Sequence, residues 1–136
     1  MKTALITGSE GQLGQCFIKR LLALNYSIIA FDIKDSTQIK HVKYFKVDIT
    51  KKQQVETALK NIECVDVLLN NAGTQVFTDF TERTEGELDF VINVNLKGTL
   101  FMIQGVFNKF MKFIFTNRRP LCCRNIIRNT DYYQHK

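Results

Sequence analysis

The stretch TGSEGQLG, Thr7 to Gly14, sets three glycines at intervals of three directly behind a short apolar run. In a strand–turn–helix unit such glycines suit three jobs: Gly8 the tight turn, Gly11 close approach of backbone to a phosphate, Gly14 packing of the helix on the sheet. The amides opening that helix have no partner within it, and the dipole is positive there, so the turn is built to hold an anion. Gly8, Ser9, Gly11, Gln12, Leu13 and Gly14 form this candidate binding set. Asp32 follows Gly14 by eighteen residues, near the separation at which a carboxylate accepts hydrogen bonds from an adenosine ribose. A carboxylate there repels a 2′-phosphate, and Glu10 adds the same sign, so the pattern favours NAD over NADP as cofactor.

These residues need elements to hold them. Lys2 to Thr7 reads as a buried strand, and Leu13, Phe17, Ile18, Leu21, Leu22 and Leu24 then recur at helical spacing. Ser27 to Phe31 is a second strand that stops at Asp32. A polar connector leads to a third, Val42 to Val47, ending at Asp48. Thr50 with Gln53 makes a capping-box signature for a helix over 51–61, and Val65 to Leu69 is a fourth strand, closed by Asn70-Asn71-Ala72-Gly73. From Glu82 to Lys112 the pattern is helical, with Gly98 and Gly105 as close-packing points, and Phe113 to Thr116 reads as a fifth strand. Strands alternating with helices predict an α/β, Rossmann-like, doubly wound parallel sheet with helices on both faces, incomplete at the C-terminal side.

At 136 residues the chain suffices for one compact core, over 1–116, followed by a basic divergent tail, 117–136. Residues 1–111 hold thirteen Lys/Arg against twelve Asp/Glu, or +1, whereas 112–136 hold six against one, or +5, so nearly all of the net charge of +6 sits at the C-terminal end. That tail lacks a nucleic-acid-binding pattern, which favours solvated charge over a polyanion partner. No uninterrupted apolar run nears the roughly eighteen residues of a membrane span, and no secretory cleavage pattern follows Met1. A cytoplasmic protein without a membrane partner is expected. The cysteines, Cys16, Cys64, Cys122 and Cys123, lack CxxC spacing and partnered histidines. No metal site or disulfide framework is indicated, and reduced, mostly buried thiols are expected.

Taken together, TGSEGQLG, Asp32, VDIT (47–50), NNAG (70–73) and NVNLKGT (93–99) resemble the short-chain dehydrogenase/reductase family, over residues 1–116, roughly the first half of a typical member. The resemblance implies hydride transfer between a nicotinamide cofactor and a small-molecule alcohol or carbonyl substrate. It also implies that Asp48 and the Ile49 backbone meet the adenine. Asn70, Ala72 and Gly73 would form the strand-end turn beside the cofactor, and Asn95 would be the active-site asparagine that disturbs its helix and holds a water in a proton relay. One departure stands in the opening turn, where Gln12 replaces a glycine common in members with NNAG. The helix from Asn95 carries Leu96, Leu100, Ile103, Phe107 and Met111 on one stripe and Met102, Val106 and Phe110 on another. Two apolar faces fit either a homo-oligomer formed through 95–111, as in family members, or burial within the chain itself.

The family also uses a Ser/Tyr/Lys group, in which a lysine four residues after the tyrosine lowers the phenol's pKa. Tyr132 and Lys136 have this spacing, but no serine follows Ser36, Lys136 is the last residue given, and a terminal helical turn frays. The expectation is therefore an oxidoreductase by family, with a truncated or frame-disrupted, catalytically impaired chain. The alternative is a non-catalytic dinucleotide-binding fragment or interaction module.

Overall fold

The computed structural model describes residues 1–115, with side chains for 1–107. Four strands, β1 (Thr3–Thr7), β2 (Ser27–Asp32), β3 (Val42–Lys46) and β4 (Val67–Leu69), form one sheet in the order β3-β2-β1-β4. Every pairing is parallel, with Ile6 opposite both Ala30 and Leu69. The chain leaves β1 on one side toward β2 and β3 and returns on the other as β4. The crevice beyond the ends of β1 and β4 is thus the switch point of a doubly wound sheet, where ligands bind in open α/β folds.

Strand residues alternate between faces, and each face has its own core. Ala4, Ile6, Ile28 and Ala30 pack with Ile18 of α1 (Gln12–Ala23). Leu5, Ile29 and Phe31 pack on the other side with Val55, Ala58 and Leu59 of α2 (Lys52–Lys60) and Met102 of α4 (Thr99–Phe115). A β carbon on Gly98 would lie 2.7 Å from the Ile49 side chain, and one on Gly105 2.5 Å from that of Leu59. Both therefore act as the close-packing points expected of them.

Several expectations need correction. Residues 113–115 are the last turn of α4 and not a fifth strand; a phenylalanine-rich run fits either period, and continuity with a helix decides it. Thr50 does not cap α2: its hydroxyl donates to Asp48 Oδ1 at 2.7 Å, leaving Lys51 as a cap without a side-chain bond. The capping box belongs to Thr84 and Glu87, at the start of α3 (Glu85–Ile92). Cys16 is a free thiol but exposed. Helix α3, a π-helical segment (Asn93–Gly98) and α4 run on without interruption. Among the described residues Glu85–Phe107 is one helix long and apolar enough to cross a membrane by length and composition, at a mean hydropathy of 1.3. Its interspersed polar residues hide this from a count of uninterrupted apolar residues. Its inner face is committed to the core through Gly98 and Met102.

Candidate functional site

Two turns meet at the switch point. After β1, Gly8 takes φ +63°, and a β carbon there would lie 2.7 Å from Ala72 Cα; the position admits only glycine on both counts. After β4, Asn71 donates from Nδ2 to the carbonyls of Thr7 (3.0 Å) and Gly8 (2.9 Å). The fully buried Thr7 hydroxyl accepts the amides of Asn71 (3.1 Å) and Ala72 (3.0 Å). Four bonds thus stitch the two turns together. Asn71 and Thr7, the residues that make them, were not singled out in the sequence. Asn70, which was, is exposed and has no hydrogen-bond partner among the described residues.

Gly14 packs so tightly beneath the turn that a β carbon would fall 2.2 Å from the Gly8 carbonyl oxygen. Helix α1 starts without a side-chain cap. Its first bond runs from the Gln15 amide to the Gly11 carbonyl, and among the described residues the amides of Gln12, Leu13 and Gly14 have no protein acceptor. Ser9 is fully buried beneath the turn, and its hydroxyl has no partner among the described residues. It does not line the cavity in front of the turn.

Asp32, 9% exposed, closes β2 and accepts the Glu10 amide on Oδ2 (2.9 Å) and the Lys34 amide on Oδ1 (3.2 Å). An ionised carboxylate offers about four lone-pair sites, so each oxygen keeps accepting capacity. The Tyr44 hydroxyl donates to the Lys34 carbonyl at 2.7 Å. Burial, and then the carboxylates of Asp32, Glu10 and Asp35, hold its pKa above the ordinary phenol range. Asp48 accepts the Thr50 amide (2.9 Å) and hydroxyl, while its own amide donates to Gln54 Oε1 (2.9 Å).

Asn95 lies in the π-helical segment, so the helix is disturbed where the resemblance implied it would be. Both ends of its amide are engaged by one backbone unit: Oδ1 accepts the Thr74 amide and Nδ2 donates to the Thr74 carbonyl, each at 2.8 Å. Its backbone carbonyl accepts the Thr99 hydroxyl at 2.9 Å. It therefore pins the turn after NNAG to the helix and does not line the cavity. Tyr132 and Lys136, like the tail as a whole, lie outside the described residues.

These elements enclose a cavity of about 950 Å³, bordered by Gly8, Gly11, Gln12, Leu13, Asp32, Asp48, Ile49, Ala72 and Gly73, with Glu10, Lys34, Asn93 and Lys97 alongside. Of the residues expected to bind, Ser9, Gly14 and Asn70 are not on its wall. A dinucleotide suits the donor set: Gln12 and Leu13, two of the three residues with unpaired amides at the helix start, border the cavity, and a carboxylate with spare lone pairs stands beside them.

Comparison with known proteins agrees. Residues 2–116 match the family model described as short chain dehydrogenase. A diacetyl reductase [(S)-acetoin forming] of Staphylococcus epidermidis is 36% identical over 125 residues, covering 82% of this chain and 49% of the relative. A short chain dehydrogenase from Leptospira borgpetersenii, solved with bound NAD+, superposes with a TM-score of 0.76 at 30% identity, over 82% of this chain and 46% of that one. ElxO, solved with NADP bound, shares the fold at a TM-score of 0.72 and 24% identity, over 82% of this chain and 51% of its own. The chain spans about half the length of the curated relatives it matches. On its glycine turn, its switch-point crevice and this match, the chain belongs to the short chain dehydrogenase family of oxidoreductases.

Proposed function

We propose that this chain binds NAD, in preference to NADP, at the switch-point crevice. It is read as the dinucleotide-binding part of an oxidoreductase acting on an alcohol or carbonyl. The observation carrying this reading is the pair of unpaired amides at Gln12 and Leu13 on the cavity wall, beside the buried carboxylate of Asp32. The amides would hold the diphosphate and Asp32 the ribose hydroxyls, with its charge opposing a 2′-phosphate. Asp48 and Ile49 would border the adenine, and Ala72 and Gly73 would form the facing wall. Asn95 is a positioning residue in this reading, fixing Thr74 and hence the wall's far end.

A bound nicotinamide supplies the hydride acceptor or donor. Tyr132 would exchange the proton at the substrate oxygen, with Lys136 lowering its pKa. Where that pair is not held, the chain is a dinucleotide-binding module without turnover. The exposed stripe of Leu96, Leu100, Ile103 and Phe107 supports a homo-oligomer through residues 95–111, since an unpartnered helix needs only one apolar face. A cytoplasmic setting fits a dinucleotide user.

Titration of the full chain with NADH and NADPH, followed by nucleotide fluorescence, tests the reading, with folding verified by circular dichroism. Saturable binding with NADH tighter is expected, and folded protein that binds neither refutes it. Diacetyl, the substrate in the name of the Staphylococcus relative, is the first carbonyl to assay for NADH oxidation, and turnover separates enzyme from module.

A further inference from the structure

Phe90, Asn93, Val94 and Lys97, spaced by three and four, border the cavity from the uninterrupted helix that starts at Glu85, so one helix face looks into the site. Phe90 and Val94 share that face with Gly98, which is pressed onto Ile49 so closely that a β carbon would lie 2.7 Å from its side chain. Asn95, five residues after Phe90, leaves on a different side, toward Thr74. Phe90 therefore stands over the end of the cavity bordered by Asp48 and Ile49, not the end bordered by Thr74. The start of α3 fixes it there, because the Glu87 carboxylate accepts the Thr84 amide at 2.9 Å and the Thr78 hydroxyl. Among the described residues two phenylalanines border the cavity. Phe31 is fully buried and meets Phe45 edge to face at 5.6 Å between ring centroids, whereas Phe90 is 51% exposed. Leu88 and Ile92, two positions to either side, are turned about 200° round the helix, so the exposure of Phe90 is not part of theirs.

Resting on the dinucleotide reading above, we infer that Phe90 is a binding residue for the purine: its ring stacks on the adenine face turned away from Ile49, so that the base is clamped between an aliphatic floor and an aromatic cover. A base offers a flat π-face, and truncating an aromatic ring stacked on it weakens binding roughly five- to a hundredfold. A half-exposed ring at the mouth of the cavity falls in the lower part of that range. The cover also removes from water an apolar ring that the free protein leaves half in solvent.

The chain has no tryptophan, so Phe90→Trp places a single indole reporter in the full chain. ADP-ribose, which carries the adenine and the diphosphate without the nicotinamide, should quench its fluorescence on titration, and nicotinamide mononucleotide should not. Phe77→Trp, at a position 88% exposed and off the cavity wall, should respond to neither. Phe90→Ala should weaken ADP-ribose binding roughly five- to tenfold by calorimetry, with Phe90→Tyr within about twofold of the parent. Should the alanine variant fail to fold, the indole variant carries the test. Unchanged ADP-ribose affinity in folded Phe90→Ala, binding of ADP-ribose without quenching, or quenching by nicotinamide mononucleotide instead overturns this inference and leaves the dinucleotide reading intact, as does a folded parent that binds NADH but not ADP-ribose. If the folded parent binds neither, both fall.

Discussion

Replacing Thr7 with valine keeps the shape of the side chain and deletes one oxygen. That oxygen accepts the amides of both Asn71 and Ala72, at 3.1 and 3.0 Å, in a side chain with no solvent exposure. Two backbone donors would lose their acceptor where water cannot replace it. Each such loss costs about 1–3 kcal/mol, and because Asn71 and Ala72 are only half-buried the lower part of that range applies, about 2–4 kcal/mol in total. A domain of ordinary stability has about 5–15 kcal/mol to lose, so the midpoint of urea unfolding should drop clearly with little change in slope. Thr7→Ser supplies the control: it keeps the acceptor and loses one methyl, at a cost near 1 kcal/mol. Valine at or above the stability of serine would refute the assignment of these bonds as the tie between the two turns. A double-mutant cycle with Asn71→Ala should show coupling of about 0.5–3 kcal/mol.

Four further outcomes follow from the same geometry. Gly14→Ala puts a β carbon 2.2 Å from the Gly8 carbonyl oxygen, against backbone that cannot yield locally; a loss of 3 kcal/mol or more, or no soluble folded protein, is expected by circular dichroism. Ser9→Ala removes a buried hydroxyl without a described partner and should leave stability unchanged or raise it by up to about 1 kcal/mol, with NADH affinity unaltered. Hydrogen bonds from Thr78 and then Thr84 hold the Glu87 carboxyl below its usual range. Its folded pKa is thus depressed, so its contribution is present above the ordinary carboxylate range and lost as pH falls through the folded value; amide exchange at Leu88 should quicken there, and Glu87→Ala should abolish that pH step. Leu100→Glu charges the exposed stripe, and sedimentation should show any dimer of the parent dissociating while the monomer stays folded.

How far the sequence disclosed this depended on whether the information was local. The strands and α1 follow from apolar spacing and the glycines, and Asp32 could be located because a strand end and a fixed interval coincide. Asn70 and Asn71 illustrate the opposite case. Neighbours at a strand end point to opposite faces, and which of the two reaches β1 depends on the register that sets Leu69 opposite Ile6, a tertiary fact. Thr50 reads as a cap until Asp48, two residues back, takes its hydroxyl. At Asn95 the helical disturbance was legible through the family motif, but the pairing of its amide with Thr74 was not, because the partner lies twenty-one residues away across the turn.

The stitching of the two turns has a consequence for how a ligand arrives. A receptor whose opposing lips are already cross-linked has little disorder left to surrender, so encounter requires no reshaping of the mouth and the entropy of ordering is spent during folding instead. Affinity then responds to chemistry at the rim, and drift in either lip is felt at the other.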